Sequence, residues 1–395
     1  MKRPDAPGPL HRRGPRPLLM HLMLGMKSLR DWQNASQNWN ADWLSSPDWL
    51  NPIKDPELLA GIAAYRRHPY QRALIDPPVI WEEGESRLLD YGHNRHDDTT
   101  PILFVPSLVN RAYILDLMED RSFLRFLASL GHRPLLLDWG WPAEEERQFT
   151  LTDLVAGRLE RATAAIGGRV VLAGYCMGGL LALACAVRRP DLVQALALLA
   201  TPWDFHAPDP EPARRLAETL PSLRPLIQMT GTLPIDAIQT LFGLLDPDQI
   251  SAKYRRFARL DQQSEAAIRF IALEDWLNDG VPLAGPIAIE ALEGWYGANK
   301  PMRTGWRVAG LPVEPSKLRM PCLVAVPERD RIVPAEQALP LAEQIEGAAI
   351  LRPRSGHIGM VAGSRAQSEL WQPFANWLSA LPRPRTATIS RLRKV

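Results

Sequence analysis

Residues 168–179 read Gly-Arg-Val-Val-Leu-Ala-Gly-Tyr-Cys-Met-Gly-Gly, and this stretch decides the fold. Its first half contains a short apolar run, Val170–Ala173, of the kind that forms a strand buried on both faces of a sheet. Its second half is the pattern Gly-x-Cys-x-Gly-Gly, which leads directly into good helix formers at Leu180–Val187. The sequence therefore predicts a strand, a sharp turn with Cys176 at its tip, and a helix.

A turn of this kind is a nucleophile elbow, which exposes a reactive side chain between a strand and a helix. Gly174 and Gly178 suit it because the turn leaves no room for side chains on either flank. Cys176 stands where a serine is usual, and the positive end of the helix dipole favours its thiolate form. We expect the backbone N–H of Met177 to donate to an oxyanion that forms beside this nucleophile.

Short apolar runs on both sides of this stretch alternate with helical segments, which is typical of parallel strands covered on both faces. The predicted strands are Val79–Trp81, Arg87–Tyr91, Ile102–Val105, Leu135–Leu137, Val170–Ala173, Ala195–Leu199, Cys322–Val326 and Ala348–Leu351. Helices are predicted at Arg111–Leu130, Leu151–Ile166 and Gln367–Leu381. We therefore predict an α/β-hydrolase fold, with a mostly parallel central sheet, flanking helices and a helical lid insertion.

The change of pattern along the chain predicts its division into segments. These are a disordered N-terminal extension at 1–26, a Trp-rich helical segment at 27–77, a core at 78–202 and 319–381, a lid at 203–318, and a basic tail at 382–395. Trp32, Trp39 and Trp43 share one helical face, which either docks on the main domain or binds a partner or an apolar surface. Translation starting at Met20, Met23 or Met26 is an alternative for the N-terminal extension.

Two further candidates follow Cys176 in the order nucleophile, acid, histidine that this fold requires. Asp330 comes just after the predicted strand Cys322–Val326, and His357 comes after the last strand. Loops that leave the carboxyl ends of parallel strands meet at one edge of the sheet, so the three side chains can lie together. Glu328 is the rival acid, but the Ile-Val-Pro sequence after Asp330 and Arg331 favours Asp330.

Composition excludes several other classes of protein. The 395 residues carry a formal net charge of +2, without the concentrated basic face that a nucleic-acid-binding protein needs. No apolar run reaches the roughly 20 residues of a membrane span. Three cysteines, Cys176, Cys185 and Cys322, form no CxxC metal motif and no paired framework, which favours a reducing cytoplasm. We expect Cys185 and Cys322 to be buried structural residues, and His93 and His96 to lie in a solvated loop rather than a metal site.

Five motifs in order resemble the polyhydroxyalkanoate synthase family, most closely its short two-component class. They are Pro101–Leu117 (PILFVPSLVNRAYILDL), Asp138–Pro142 (DWGWP), the elbow at 168–179, the Asp330 loop and the His357 loop. The resemblance covers about residues 78–380, and Phe270–Gly297 looks like the lid region of that class.

The resemblance implies an acyltransferase that takes (R)-3-hydroxyacyl groups from coenzyme A thioesters to a hydroxyl acceptor. In the family the cysteine holds the acyl chain as a thioester, the histidine activates it, and the aspartate is implicated in activating the incoming hydroxyl. These roles fall on Cys176, His357 and Asp330, and the loop after Val105 implies the Val109 backbone as second oxyanion donor. The coenzyme A thioester is then a substrate, and no cofactor or metal is expected.

The chemistry of sulfur independently favours such a substrate. Exchange of an acyl group between two thiols is nearly thermoneutral, so a cysteine keeps the acyl group activated, and transfer to a hydroxyl then runs downhill. A lid would keep water away from this intermediate. The alternative is a hydrolase on the same scaffold, an intracellular depolymerase or thioesterase. A third interpretation is a scaffold protein at the surface of polymer granules with a silent catalytic centre.

The chain departs from the family pattern at three places. Leu180 replaces a threonine, Arg331 replaces a histidine, and the loop at 106–111 reads PSLVNR where two prolines and a lysine are typical. The catalytic trio survives, so the departures bear on processive polymerisation rather than on acyl chemistry as such. The expected partners are the hydroxyacyl-coenzyme A, the polymer granule surface, and either a second copy of the chain or a second synthase subunit, in the cytoplasm or at granules.

Overall fold

The structure is a computed structural model that describes residues 55–92, 99–245 and 247–382, together with residues 12, 14–18, 20 and 21. Three sequence predictions concern segments outside the described residues. They are the tryptophan-bearing part of the 27–77 segment, the His93–His96 turn, and the basic tail beyond residue 382.

An eight-stranded sheet forms the centre of the molecule. Its strands are β1 (Val79–Glu83), β2 (Ser86–Asp90), β3 (Pro101–Val105), β4 (Arg133–Asp138), β5 (Val170–Tyr175), β6 (Val193–Leu199), β7 (Cys322–Ala325) and β8 (Ala349–Leu351). Their spatial order is β1-β2-β4-β3-β5-β6-β7-β8. β2 runs antiparallel to β1 and β4, and every other neighbouring pair in this sheet is parallel. The predicted α/β-hydrolase architecture is confirmed.

Burial follows position in the sheet, and it explains why the central strands are apolar throughout. All six residues of β5 are buried, because helices cover both faces of this strand. In contrast, β1 and β8 at the two edges expose most of their residues. The elbow therefore leaves the most deeply buried part of the sheet.

α1 (Pro56–Arg67) precedes the sheet and packs against Tyr254 and Phe257 of the later insertion between β6 and β7. The helices before that insertion that accompany the sheet are α2 (Phe123–Ser129), α3 (Glu160–Ala165), which continues a π-helical turn at Asp153–Leu159, and α4 (Met177–Arg188). After the insertion come α11 (Ala335–Gln344), α12 (His357–Ala362), a π-helical turn at Gln367–Trp371 and α13 (Gln372–Ser379). Single 3-10 turns lie at Ala112–Leu115, Glu145–Gln148 and Pro315–Lys317.

The predicted helix Arg111–Leu130 is wrong over its first two thirds. The segment forms a 3-10 turn, short strands at Asp116–Met118 and Arg121–Ser122, and then α2. The buried carboxylate of Asp116 accounts for the difference, because it pairs with Arg125 at 2.7 Å and with Arg72 at 3.0 Å. Such a buried ion-pair network fixes an extended chain against its local helix propensity.

The chain between β6 and β7 forms a mainly helical layer. Its helices are α5 (Glu211–Glu218), α6 (Leu220–Thr230), α7 (Ile235–Leu245), α8 (Pro247–Ala258), α9 (Glu265–Asn278) and α10 (Gly285–Ile289), which runs into a π-helical turn at Glu290–Gly297. Short antiparallel strand pairs join Thr232–Leu233 to Leu283–Ala284 and Arg307–Val308 to Leu311–Pro312. We call residues 203–318 the lid from here on.

A few N-terminal residues lie against the lid. The Arg12 guanidinium pairs with Asp275 at 2.6 Å, and the Arg16 backbone N–H donates to Asn278 at 2.7 Å. The partner of Arg12 is a partly buried carboxylate on α9. The disorder of residues 1–26 stays a prediction. Among the helices within the described residues, none combines the length and apolarity needed to cross a bilayer.

Candidate active site

The elbow puts Cys176 in a backbone conformation that few residues adopt. β5 ends at Tyr175, α4 begins at Met177, and Cys176 between them has φ 57° and ψ −128°. The Cys176 backbone N–H donates to Leu199 at 2.9 Å, and its carbonyl accepts from Gly179 at 2.9 Å. A non-glycine residue at positive φ stores strain that the surrounding structure must hold, and such strain is typical of functional sites.

The paired glycines after Met177 are required by close packing. A Cβ at Gly178 would lie 2.2 Å from the Val105 carbonyl oxygen, and a Cβ at Gly179 would lie 1.9 Å from Thr201 Oγ1. The start of α4 therefore presses directly against the ends of β3 and β6. This contact fixes where the nucleophile stands relative to the loop that follows β3.

His357 and Asp330 form a buried pair. His357 Nδ1 lies 2.7 Å from Asp330 Oδ2, and the Asp330 side chain is fully enclosed. The other carboxylate oxygen accepts the backbone N–H groups of Ile332 and Val333, both at 2.9 Å. Both oxygens of Asp330 are thus occupied, so this carboxylate can orient His357 and cannot readily bind a second group.

The imidazole also lies near the nucleophile. Because Nδ1 faces Asp330, the other ring nitrogen is available to Cys176, which lies close enough to influence the pKa of His357. Burial lowers the pKa of His357, but the charges of Cys176 and Asp330 and its hydrogen bond to Asp330 raise this pKa above its ordinary value overall. A raised pKa makes His357 a stronger base toward a neighbouring proton donor.

Tyr175 supports the histidine from beneath. Its ring lies 5.1 Å from the His357 ring, and its hydroxyl donates to the His357 carbonyl at 3.2 Å. Sequence reasoning missed this residue, although its place between Gly174 and Cys176 in the elbow was a usable signal. The hydrogen bonds from the Ile332 and Val333 amides to Asp330 were likewise missed, because residue type does not show which backbone N–H groups act as donors.

The other two cysteines stand in different surroundings. Cys185 is fully buried inside α4, and Cys322 is nearly so at the start of β7. Burial raises the pKa of each thiol to about 12. Both therefore stay protonated and unreactive near neutral pH, whereas Cys176 has the His357 imidazole nearby.

An apolar cavity lies between the elbow and the lid. Its walls are apolar apart from one tyrosine and are formed by Val109, Met177, Leu216, Leu233, Ile238, Leu241, Leu283, Ala288, Ala291, Leu292 and Tyr296. The cavity thus touches both residues predicted as oxyanion donors. The Val109 carbonyl accepts the Val281 N–H at 3.2 Å, which ties the loop after β3 to the lid.

The aromatic residues of the lid divide into two groups. Tyr296 lines the cavity and lies close enough for the charge of Cys176 to raise its pKa, after the larger effect of burial. Trp276 instead donates to the Arg111 carbonyl at 2.7 Å, and Trp295 packs edge-to-face on Trp306 at 5.6 Å. Packing of the lid therefore accounts for the two tryptophans, and Tyr296 belongs to the site.

The described residues contain no group of three or more potential metal ligands among their His, Cys, Asp and Glu side chains.

The chain is similar to several known proteins. The sequence profile described as "Alpha/beta hydrolase family" matches residues 102–370. The poly(3-hydroxyalkanoate) polymerase subunit PhaC of Synechocystis sp. is 30% identical over 71% of this chain and 77% of its own length. This chain therefore belongs to the polyhydroxyalkanoate synthase family of the α/β-hydrolase superfamily. The family assignment predicted from its motifs is thus confirmed.

Relatives in the synthase family differ in length. The PhaC subunit of Haloferax mediterranei is 30% identical over 76% of this chain, but the match spans about 63% of that relative. The PhaC subunit of Allochromatium vinosum is 28% identical over 75% of this chain and 86% of its own length. Among solved structures, a monoacylglycerol lipase from Paleococcus ferrophilus covers 75% of this chain at 14% identity with a TM-score of 0.47.

Proposed function

We propose that this protein transfers (R)-3-hydroxyacyl groups from coenzyme A thioesters, through a thioester on Cys176, to a hydroxyl acceptor. The observation that carries the proposal is the strained Cys176 near the His357–Asp330 pair, with its neighbour Met177 in the wall of an apolar cavity under the lid. Relatives named as poly(3-hydroxyalkanoate) polymerase subunits support the same acyl chemistry.

In the first half-reaction Cys176 Sγ attacks the thioester carbonyl. His357 accepts the thiol proton, and the oxyanion binds the backbone N–H groups of Met177 and Val109. When the tetrahedral adduct collapses, the carbon–sulfur bond to coenzyme A breaks. His357 returns its proton to the leaving sulfur, and the acyl group stays on Cys176 as a thioester.

In the second half-reaction the acceptor hydroxyl attacks this thioester. His357 accepts the hydroxyl proton and passes it to the departing Cys176 sulfur as the ester forms. Asp330 acts through His357 in this scheme, because its two oxygens are engaged by His357 Nδ1 and by two backbone amides. The family resemblance implies that the aspartate activates the hydroxyl. In this scheme Asp330 does so indirectly, by orienting His357.

The cavity suits the acyl group rather than the nucleotide. Its wall carries leucine, isoleucine and alanine side chains, which bind a hydrocarbon chain by removing it from water. The same wall keeps bulk water from the acylated Cys176, so a hydroxyl bound in the cavity competes with little hydrolysis.

Product analysis tests the proposal. Purified protein is incubated with 3-hydroxybutyryl-coenzyme A, with and without a second synthase subunit, and with and without polymer granules. Coenzyme A release together with ester-linked product supports the transferase. Stoichiometric free hydroxy acid identifies a hydrolase instead. No coenzyme A release under any of these conditions, with the protein folded, would contradict both and leave the granule scaffold.

A further inference from the structure

Two loops beside the candidate active site are joined by backbone hydrogen bonds. The segment after β7, Pro327–Pro334, contains Asp330, and the segment after β8, Arg352–His357, ends in the histidine. The Glu328 N–H donates to Pro353 at 2.9 Å, and the Arg329 N–H donates to Ser355 at 3.0 Å. These bonds hold the two segments side by side as one surface at the carboxyl edge of the sheet.

This surface is strongly basic. Arg329, Arg331, Arg352 and Arg354 are all exposed, while the two segments contain two acids, Glu328 and Asp330. Asp330 is buried and faces His357, which leaves Glu328 as the exposed acid of the pair of loops. The outer face of the two loops therefore has a net positive charge.

The position of these arginines relative to the leaving group is fixed by the chain. Arg329 is the neighbour of Asp330, about 3.8 Å away between Cα atoms, and Arg354 is three residues from His357, at most about 10 Å along the chain. His357 must protonate the sulfur of the departing thiol, so that sulfur lies next to the imidazole. The lid cavity is apolar and offers no partner for phosphates, so we place the rest of the departing molecule on the polar surface near these loops.

We propose that Arg329, Arg352 and Arg354 bind the phosphate groups of the coenzyme A donor. This inference rests on the proposed function and assigns the donor's nucleotide end to a site that is separate from the acyl cavity. Guanidinium groups suit phosphates because they make paired, charge-assisted hydrogen bonds. Arg331 adds positive charge to the same surface, but the assignment does not depend on it.

The test compares two donors that share one acyl group. 3-Hydroxybutyryl-coenzyme A carries the phosphates, and 3-hydroxybutyryl-pantetheine carries the same thioester without the nucleotide. For an Arg329→Gln/Arg354→Gln variant we expect KM for the first donor to rise about tenfold to a hundredfold. We expect kcat to stay nearly constant and KM for the pantetheine donor to match that of the unaltered protein.

Dephospho-coenzyme A as a competing ligand separates the phosphates. If the arginines hold the 3′-phosphate, its binding to the unaltered protein is weaker than that of coenzyme A. If they hold the pyrophosphate, the two ligands bind alike and both are weakened by the variant. An Arg354→Lys variant keeps the charge and should recover part of the lost affinity. Arg66→Gln/Arg67→Gln, on the exposed last turn of α1, is the matched control and should change nothing.

Two results would overturn the assignment. One is an equal rise in KM for both donors, which means that the loops were merely distorted. The other is no change for the coenzyme A donor. If no donor is turned over, the proposed function fails, but the phosphate site can still be tested. Calorimetric titration with free coenzyme A then measures binding directly. Loss of binding in the variant then supports the site, and unchanged binding or none in the unaltered protein contradicts it.

Discussion

The edge of the sheet and the lid contribute to one cavity in different ways. At the sheet edge each reacting group is fixed by short polar contacts, such as the 2.7 Å bond from His357 to Asp330 and the 2.9 Å bond that holds the Cys176 amide. The lid faces the same cavity with apolar side chains, and Tyr296 is the tyrosine among them. We therefore propose that the sheet edge carries out the chemistry and that the lid selects the acyl group.

Replacing Cys176 by alanine should have the largest effect and gives the strongest test of this division. The variant loses the atom that carries the acyl group, so we expect turnover to fall by about 10⁴-fold or more. Release of coenzyme A from 3-hydroxybutyryl-coenzyme A measures it.

Cys185→Ala is the matched control for this change. It removes a buried thiol from the same helix, α4, without touching the cavity. We expect turnover within about twofold of the unaltered protein and a loss of stability of about 1 kcal/mol. Equal losses of turnover in the two variants would mean that the sheet edge does not hold the reacting group at Cys176.

Asp330→Asn should have the next largest effect. The change keeps the size of the side chain but removes the charge that faces His357, so we expect turnover to fall by about a thousandfold. In the unaltered protein the charges of Cys176 and Asp330 hold the pKa of His357 above its ordinary value. The variant should lower this pKa, so the titration of His357 in the pH–rate profile moves to lower pH.

Glu328→Gln is the control for that prediction. Glu328 is exposed two residues away on the same loop, and the sequence left it as a rival acid. We expect its turnover and pH profile to match those of the unaltered protein. A profile that moves with Glu328→Gln and stays in place with Asp330→Asn would reverse the assignment.

The same division explains what the sequence could predict. The elbow was readable because its strain and crowding admit few residues at 174–179, and the order of Cys176, Asp330 and His357 follows from the sheet. The helix predicted at 111–130 failed because the partners of Asp116 come from distant parts of the chain. The role of Tyr296 was equally unreadable, because lid packing decides which aromatic residue faces the cavity.

A change in the cavity wall should affect selectivity rather than chemistry. Leu292→Phe enlarges a side chain that lines the cavity and so reduces the space for the acyl group. Longer acyl groups should therefore bind less well than shorter ones. We expect the ratio of kcat/KM for 3-hydroxybutyryl-coenzyme A over 3-hydroxyvaleryl-coenzyme A to rise by about tenfold. Rates of coenzyme A release with the two donors measure this ratio.

Leu223→Phe is the control in the lid. Leu223 is a half-buried leucine on α6 that does not line the cavity, so its replacement should leave the ratio unchanged. If Leu292→Phe lowered both values of kcat/KM equally, the lid would be acting on the chemistry, and the contrast between the two regions would break down.

The smallest effect is expected where the N-terminal residues lie on the outside of the lid. Arg12→Gln removes the ion pair with Asp275, whose two side chains are 11% and 29% exposed. A half-enclosed pair of this kind should contribute about 2 kcal/mol to the free energy of unfolding, measured by urea denaturation. Turnover should stay within about twofold, because Asp275 contacts Arg12 and Tyr65 and does not line the cavity. Arg259→Gln, which breaks an exposed pair with Glu57 nearby, should change neither quantity. A large loss of turnover in Arg12→Gln with stability intact would show that the outer face of the lid also controls the chemistry.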